Sequence, residues 1–167
     1  YFDILLNTVP WQNDTVKIFG KTIVTNRKMA WYSTENQSYT YSNSTKMAMA
    51  FTPELWEIKQ IVENISGEKY NACLLNFYKN GQESMGWHSD NESELKAYGS
   101  IASLSLGAER KFMFKHRESK KILTLNLEHG SLLLMQGSIQ QHWLHQLPPM
   151  AKVEAPRINL TFRNRVI

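Results

Sequence analysis

A strict alternation of apolar and polar side chains in the second half of the chain constrains its fold more than any other feature. The alternation runs through residues 102–106, 111–115 and 123–127, and a more continuously apolar run follows at Leu132–Met135. A period of two is typical of half-buried β-strands, and glycines separate these segments. Many short strands at such spacing predict a β-sandwich or barrel rather than a parallel sheet joined by helices.

One helix is predicted ahead of this β-rich part, at residues 53–65. Thr52 can cap its start, Pro53 suits the first helical position, and Gly67 can end it. The apolar side chains that recur at helical spacing are Leu55, Ile58, Ile61, Val62 and Ile65. The first fifty residues are polar and rich in turn-forming residues, which indicates short strands and loops. We therefore expect a mainly β fold of the α+β class, with the helix packed outside a β core.

The composition bounds the class of protein. A chain of 167 residues with 42% hydrophobic side chains is long enough for one domain with a sizeable core. A single cysteine, Cys73, excludes a disulfide framework and a zinc ribbon, and its apolar neighbours predict a core position. No apolar run approaches the roughly 18–20 residues of a membrane span. The formal net charge of +4 is compatible with a polyanionic partner.

The last predicted strand, Arg157–Arg163, separates two chemically different sets of side chains. One parity is apolar, and the other consists of Arg157, Asn159, Thr161 and Arg163. Strand geometry sends the two sets to opposite faces, so the polar set faces either solvent or the interior of a barrel. In the second case the two arginine Cα atoms lie about 20 Å apart, and their inward side chains leave space for a small dicarboxylate held at both ends.

Asn76 and Tyr78 share one face of the apolar run Ala72–Tyr78. Ordinary strand alternation is one interpretation of this pattern. The other interpretation places an amide and a phenol beside a bound carboxylate.

His88 and Asp90 project an imidazole and a carboxylate to the same side of an extended segment. These are two of the three ligands in the 2-His-1-carboxylate site of non-haem iron(II), and the alternative is a surface histidine beside an acid. A third ligand would come from a distant histidine, and the candidates are His116, His129, His142 and His145. The last two are three residues apart, so an extended chain turns at most one of them toward a metal.

Several blocks of sequence between about residues 70 and 165 occur in the order and spacing of a known family. The blocks are Asn76-Phe77-Tyr78, Trp87-His88-Ser89-Asp90, residues 101–108, His142-Trp143-Leu144-His145 and residues 156–163. On these blocks the chain resembles the AlkB family of iron(II)- and 2-oxoglutarate-dependent dioxygenases, and the last block is highly specific to that family. Weaker matches in the N-terminal part are Phe19-Gly20-Lys21, Arg27-Lys28 and residues 39–42. The chain is similar above all to the members that repair DNA and RNA.

The resemblance implies a fold and a metal site. Family members place the distal iron ligand twelve residues before the first arginine of the last block, which selects His145. Iron(II) is therefore expected on His88, Asp90 and His145. The implied fold is a double-stranded β-helix (jelly roll) with flanking helices. The implied organisation is one AlkB-like dioxygenase domain over residues 1–167, with a nucleotide-recognition lid at about 1–50 and a catalytic jelly roll at about 68–167.

The resemblance also implies a cosubstrate site. The family pattern for 2-oxoglutarate falls on Asn76, Tyr78, Arg157, Asn159, Thr161 and Arg163. Arg157, helped by Tyr78, is expected to pair with the distal carboxylate. Arg163 is expected to neutralise the carboxylate nearer the metal, and the two asparagines are expected to orient the cosubstrate by hydrogen bonds.

The activity implied is oxidative demethylation of N-alkylated bases such as 1-methyladenine and 3-methylcytosine. The expected substrate is DNA, with RNA as a second candidate substrate, and the reaction releases formaldehyde, succinate and carbon dioxide. The base must be flipped out of a duplex or already single-stranded to reach the metal. The substrate contacts expected on this basis are Phe19, Gly20, Lys21, Arg27, Tyr39, Tyr41, Asn91 and Glu92.

These contacts have different expected roles. Phe19 would fill the gap left by a flipped base at the tip of a hairpin, although a plain hairpin is an equal interpretation. Tyr39 and Tyr41 would stack on the base, and Asn91 or Glu92 would meet its exocyclic amino group. Arg27, with Lys28 and Lys46, would touch phosphates, which positions a strand without reading its sequence.

Two other functions remain open from the sequence. The same iron centre would serve a hydroxylase of a protein or a small molecule, and a barrel without catalysis would serve as a binding module. We expect a monomer that works inside the cell, in the cytoplasm of a bacterium or the nucleus of a eukaryote. The chain begins at Tyr1 rather than at a methionine, so we expect it to be part of a longer sequence.

Overall fold

A computed structural model describes residues 1–18, 21–35, 38–41, 44–90, 95–96 and 98–166 of the chain. The helices in these ranges are α1 (Phe2–Thr8), α2 (Pro53–Ser66) and α3 (Ile139–His142). The strands are β1 (Gln12–Ile18), β2 (Lys21–Ser33), β3 (Ser38–Tyr41), β4 (Ser44–Met47), β5 (Met49–Ala50), β6 (Ala72–Tyr78), β7 (Met85–His88), β8 (Ile101–Gly107), β9 (Arg110–His116), β10 (Ile122–Leu127), β11 (Leu132–Met135), β12 (Trp143–Leu147) and β13 (Arg157–Arg163).

The strands form two larger sheets in which almost every pairing is antiparallel. The large sheet has the order β1-β2-β6-β13-β8-β11, and the short strand β5 lies parallel to β2. The small sheet has the order β10-β9-β12-β7, and β3 pairs separately with β4. Chain neighbours are therefore often not sheet neighbours, as a jelly roll requires. The expected mainly β fold, with a jelly-roll core, is confirmed.

The two N-terminal helices cover the outer face of the large sheet. Thr52 accepts a hydrogen bond from the backbone N–H of Leu55 at the start of α2, and Gly67 ends this helix with a φ of 72°. One apolar cluster joins α1, α2 and the sheet, and its members include Leu5, Leu55, Ile58, Val62, Cys73, Leu75, Ile158, Leu160 and Phe162. The predictions of a helix outside the β core and of a buried cysteine are confirmed.

The predicted apolar stripe of α2 is only partly correct. Ile61 and Ile65 are exposed, whereas Lys59 and Glu63 are buried beside the apolar residues of the stripe. Lys59 donates a hydrogen bond to Glu63 across one turn of the helix, and Glu63 also accepts one from the backbone of Tyr70. Lys69 is a third donor to this carboxylate, so its charge can be buried here, which hydrophobic periodicity does not reveal.

The first fifty residues differ from the expectation of short strands. The helix α1 was not predicted, and β2 is 13 residues long. Both β1 and β2 belong to the same sheet as the later strands, because β2 pairs with β6. The region expected to act as a lid is thus joined to the large sheet by backbone hydrogen bonds.

The strand β10 is less buried than its alternating sequence predicts. Ile122, Leu123 and Leu125 are exposed, and Leu127 is the buried apolar residue of this strand. The reason is topological: β10 is the edge strand of the small sheet and has β9 as its one neighbour there.

In the described part of the chain, no helix has the length and apolar character that crossing a bilayer requires.

Candidate metal and cosubstrate site

The pairing of β7 with β12 places two histidines face to face. His88 lies opposite His145, whereas Met85 lies opposite Leu147, so β7 has one residue more than β12 between these pairs. Bulges of this kind are common beside active sites, because the extra residue re-aims a side chain. The bulge allows both Met85 and His88 to line the same cavity, which has a volume of about 890 Å³ including its open mouth.

Asp90 follows β7 and completes a cluster of three metal-ligating side chains. The ligand atoms of His88, Asp90 and His145 all lie within 4.8 Å of one another. The backbone N–H of Asp90 donates to the side chain of Gln140, and Arg163 donates a hydrogen bond to Oδ1 of Asp90 at 3.1 Å. Two imidazoles and one carboxylate on one side of a cavity are the donor set of a non-haem iron(II) site.

The protonation states of the cluster suit a metal. Nδ1 of His88 lies 2.8 Å from the carbonyl oxygen of Gly86, which only accepts hydrogen bonds, so Nδ1 is the donor and Nε2 is the nitrogen left for a metal. Burial lowers the pKa of His145 to about 4 and keeps its ring neutral. Burial by itself would raise the pKa of Asp90, but Arg163 and the two imidazoles outweigh this effect and lower it. The carboxylate is therefore ionised at neutral pH.

The other candidate histidines lie elsewhere. His142 ends α3, and its ring stacks on that of His116 with the ring centroids 6.2 Å apart. His129 accepts a hydrogen bond from the backbone of Gly107. Of the four candidates, the structure brings His145 to the pair His88 and Asp90, and the ring of Phe112 stacks on it at 5.4 Å.

The polar side chains of β13 face the interior of the molecule rather than solvent. All seven residues of this strand are buried, and its polar parity lines the cavity with the metal-ligand cluster. The register with β6 places Tyr78 opposite Arg157 and Asn76 opposite Asn159. Cross-strand neighbours on one face are the closest side-chain pairs in a sheet, so the amide and phenol join the arginine end of the cavity.

Arg157 carries a buried charge that the described residues do not neutralise. Its side chain donates to Ser105 at 2.9 Å and lies over the ring of Tyr78, with 5.5 Å between the guanidinium carbon and the ring centroid. Its buried Nε has no hydrogen-bond partner, and no carboxylate of the described residues forms an ion pair with it. Burial lowers the pKa of Arg157 to about 10. A carboxylate of a bound ligand fits this guanidinium.

Asn159 and Thr161 form a hydrogen-bonded row beside this arginine. Nδ2 of Asn159 donates to Ser103 at 2.8 Å and to the carbonyl of Leu104 at 3.0 Å, while Oδ1 accepts from Thr161 at 3.1 Å. Both amide hydrogens of Asn159 are thus engaged with β8. The expected hydrogen bond from Asn159 to a carboxylate stays a prediction, and it requires one of these bonds to open.

The structure describes some of the expected substrate-contact residues completely, some by their backbone alone, and others not at all. Phe19, Gly20, Asn91 and Glu92 lie outside the described residues. The backbones of Lys21, Tyr39 and Tyr41 are described, with Lys21 opposite Ile18 in the β1–β2 hairpin and Tyr39 opposite Lys46 in the β3–β4 pair, but their side chains are not. Arg27 is buried in the cavity wall, where it forms an ion pair with Asp14. Its charge is therefore paired with an acid inside the cavity, and its contact with a phosphate stays a prediction.

Sequence reasoning missed several residues of the cavity. Ser103 and Ser105 were visible as the polar parity of residues 102–106, opposite the leucines of that strand. Asp14 and Met85 carried no such signal, because each enters the cavity through an irregular strand pairing.

Comparisons with known proteins identify the family that the chain resembles. The sequence model of the family described as the 2OG-Fe(II) oxygenase superfamily matches residues 2–163. The chain is 40% identical over 156 residues to DNA oxidative demethylase ALKBH2 of Homo sapiens, which covers 89% of this chain and 60% of the relative. It is 36% identical over 172 residues to alpha-ketoglutarate-dependent dioxygenase alkB homolog 3 of Bos taurus, covering 97% of this chain and 59% of the relative.

These relatives are longer than the chain, which spans less than two thirds of their length. A solved structure of OsALKBH1 superposes with a TM-score of 0.62 at 18% identity, covering 94% of this chain and 83% of that chain, and it shows a shared fold. The family match extends over nearly the whole chain, and its range contains the cluster of His88, Asp90 and His145 and both arginines of β13. The chain therefore belongs to the 2OG-Fe(II) oxygenase superfamily.

Proposed function

We propose that this protein is an iron(II)- and 2-oxoglutarate-dependent dioxygenase that demethylates N-alkylated bases such as 1-methyladenine and 3-methylcytosine in DNA. The observation that carries the proposal is the cluster of His88, Asp90 and His145, which shares one cavity with the unneutralised Arg157. The relatives named DNA oxidative demethylase support the choice of nucleic acid as substrate. RNA is a second polymer to test.

The chain's own residues would hold the metal and the cosubstrate. His88, Asp90 and His145 would bind iron(II) through two neutral nitrogens and one carboxylate oxygen. Arg157 would pair with the distal carboxylate of 2-oxoglutarate, with Tyr78 beside it, and Arg163 would balance charge at the metal end. When bound, iron and 2-oxoglutarate would supply the oxidising chemistry: with oxygen, 2-oxoglutarate would be converted to succinate and carbon dioxide, and the N-methyl group would be hydroxylated. The hydroxymethyl group would then leave the base as formaldehyde.

The protein contributes position, charge and exclusion of water. Arg163 keeps Asp90 ionised, so the ligand does not have to lose a proton when a metal arrives. The hydrogen bond from His88 to Gly86 fixes which ring nitrogen is available. Phe112 and Leu147 contribute apolar surface near the cluster, which keeps the reacting groups away from bulk water.

The remaining expectations belong to the same proposal. Residues 1–50 would recognise the nucleotide and residues 68–167 would carry the catalytic jelly roll within one domain. The base would enter the cavity flipped or from a single strand. The protein would act as a monomer in the compartment that holds the nucleic acid, which is the cytoplasm of a bacterium or the nucleus of a eukaryote.

A panel of methylated DNA and RNA oligonucleotides tests the proposal. After incubation with iron(II), ascorbate and 2-oxoglutarate, mass spectrometry should show loss of the methyl group together with formation of succinate. Turnover of 2-oxoglutarate should rise when a methylated oligonucleotide is added. A rate of 2-oxoglutarate turnover that does not change when any of the oligonucleotides is added would favour a hydroxylase of a protein or small molecule. If protein reconstituted anaerobically with iron(II) does not turn over 2-oxoglutarate, both enzymatic functions are excluded and a binding module is the remaining interpretation.

A further inference from the structure

A β-bulge in the β1–β2 hairpin turns a carboxylate into the catalytic cavity. Asn13 lies opposite Lys28 and Thr15 opposite Val24, so the single residue Asp14 faces three residues of β2. Asp14 is only 3% exposed although it belongs to the first strand of the sheet, at its edge. An irregular pairing beside an active site commonly serves to aim one side chain.

Arg27 holds this carboxylate in place from the facing strand. Its Nη2 contacts Oδ2 of Asp14, and its Nη1 lies 2.9 Å from the sulfur of Met85. Met85 is three residues before the metal ligand His88 on β7, which corresponds to about 10 Å along a strand. The guanidinium therefore connects the hairpin to the strand that carries a metal ligand.

The second oxygen of the carboxylate is available to a ligand. Oδ1 of Asp14 accepts no hydrogen bond from the described residues. Among these residues, Asp14 and Asp90 are the acids that line the cavity, and Asp90 is committed to the metal cluster and to Arg163. Among the described residues, Asp14 is thus the acidic acceptor left for a substrate, and Glu92, expected near the same amino group, lies outside them.

Stability does not explain this buried pair. Removing two charges from water costs several kcal/mol per ion in effect, and well-packed apolar residues in place of a buried ion pair are often neutral or stabilising. The cavity is also lined by apolar side chains, and Met29 and Leu74 belong to β2 and β6, the next two strands after β1 in the sheet, so an apolar pair would be compatible with this lining. A ligand-directed role gives a reason to keep a charged pair at this position.

We infer that Asp14 is a specificity-determining residue, which accepts a hydrogen bond from the amino group of the alkylated base, and that Arg27 is its positioning residue. The inference rests on the proposed function. A base of the 3-methylcytosine type offers an amino donor and a positive charge, both of which a carboxylate attracts. A base of the 3-methyluracil type presents a carbonyl oxygen at the same place, which repels the carboxylate and leaves it unpaired.

The substitution Asp14→Asn tests this assignment because it keeps the shape and changes the hydrogen bond. Arg27 has only donors, so the amide oxygen remains with Arg27 and the NH₂ group takes the place of Oδ1. A donor then faces the base. We expect the ratio of kcat/KM for 3-methylcytosine over 3-methyluracil, in otherwise identical single-stranded oligonucleotides, to fall about 10-fold or more.

A binding measurement gives a second readout that does not depend on turnover. Fluorescein-labelled oligonucleotides carrying either base are titrated with metal-free protein and followed by anisotropy. The affinity ratio should shift in the same direction in D14N. The matched control is Glu68→Gln, which makes the same chemical change at an exposed residue outside the cavity and should leave both ratios as they are.

A double variant covers the case in which D14N does not fold. Asp14→Leu with Arg27→Met removes both charges together, and thermal unfolding checks that the fold is retained. This variant should also lose the preference for 3-methylcytosine. A preference that persists in either folded variant, or an equal loss on both bases, overturns the inference while the demethylase activity of the unsubstituted protein still stands. Failure of the unsubstituted protein on every methylated oligonucleotide overturns the proposed function, and this inference with it.

Discussion

Arg163 donates a hydrogen bond to Oδ1 of Asp90 at 3.1 Å across 73 positions of sequence. A residue of β13, in the large sheet, therefore helps to keep ionised the carboxylate of Asp90, which follows β7 of the small sheet. The other oxygen of Asp90 lies 3.7 Å from Nε2 of His145, so one carboxylate connects the arginine end of the cavity to the histidine end. The arginine end of the cavity and the candidate metal cluster are therefore electrostatically coupled.

The substitution Arg163→Gln should strongly lower the catalytic efficiency with 2-oxoglutarate. It removes the guanidinium expected beside the carboxylate nearer the metal and leaves that carboxylate without its partner in a buried place. We expect kcat/KM for 2-oxoglutarate to fall about 100-fold, which corresponds to about 2.7 kcal/mol. The rate of succinate formation measures the effect, and unchanged kinetics would contradict the role of Arg163.

The substitution Arg157→Gln should act on a different part of the cosubstrate. It should raise the KM for 2-oxoglutarate by about 100-fold. The cosubstrate 2-oxopentanoate has the same carbon chain without the distal carboxylate, so R157Q should change its KM little, whereas R163Q should impair both. Steady-state oxygen consumption with the two oxoacids separates these outcomes. If R157Q raises the KM of both oxoacids equally, Arg157 does not pair with the distal carboxylate.

Metal binding should distinguish His145 from His142. His145→Gln removes a ligand of the cluster and should weaken Mn²⁺ binding by more than about 100-fold, since even loss of an outer partner of a ligand costs 10–100-fold. His142→Gln is the matched control, because His142 stacks on His116 instead of facing the cluster. Isothermal titration of each purified variant gives the affinity. Strong binding by H145Q would show that the ligand set is wrong.

The pH dependence of stability should report the buried carboxylate of α2. Burial alone would raise the pKa of Glu63, but hydrogen bonds from Lys59, from the backbone of Tyr70 and from Lys69 outweigh it and lower the pKa. A lowered folded pKa contributes stability above the unfolded value of about 4.3, and this contribution disappears as the pH falls through the folded value.

The substitution Glu63→Gln should therefore destabilise the protein by about 2 kcal/mol at pH 7 and by much less near pH 3. Urea unfolding at the two pH values measures the difference, and Glu68→Gln serves as the exposed control. A destabilisation that does not depend on pH would mean that shape, rather than charge, gives Glu63 its effect.

The sequence by itself determined the strands β6, β8 to β11 and β13, the outer helix α2 and the chemistry of the last strand. Local periodicity is enough for these features, because strand geometry assigns alternate residues to opposite faces whatever the partner strand is. The parity of Arg157–Arg163 separated its polar and apolar faces in this way. The choice of His145 over its three competitors came from resemblance, since spacing alone left them equivalent.

Only the tertiary structure decided which irregular pairings matter. The extra residue of β7 brings Met85 and His88 into one cavity, and the bulge opposite Asp14 buries an acid that a polar N-terminal strand would otherwise expose. The exposure of the apolar side chains of β10 also depends on tertiary structure, because an edge position exposes residues that a central position would cover. Register and neighbour are long-range properties of the sheet, and the local pattern of side chains does not encode them.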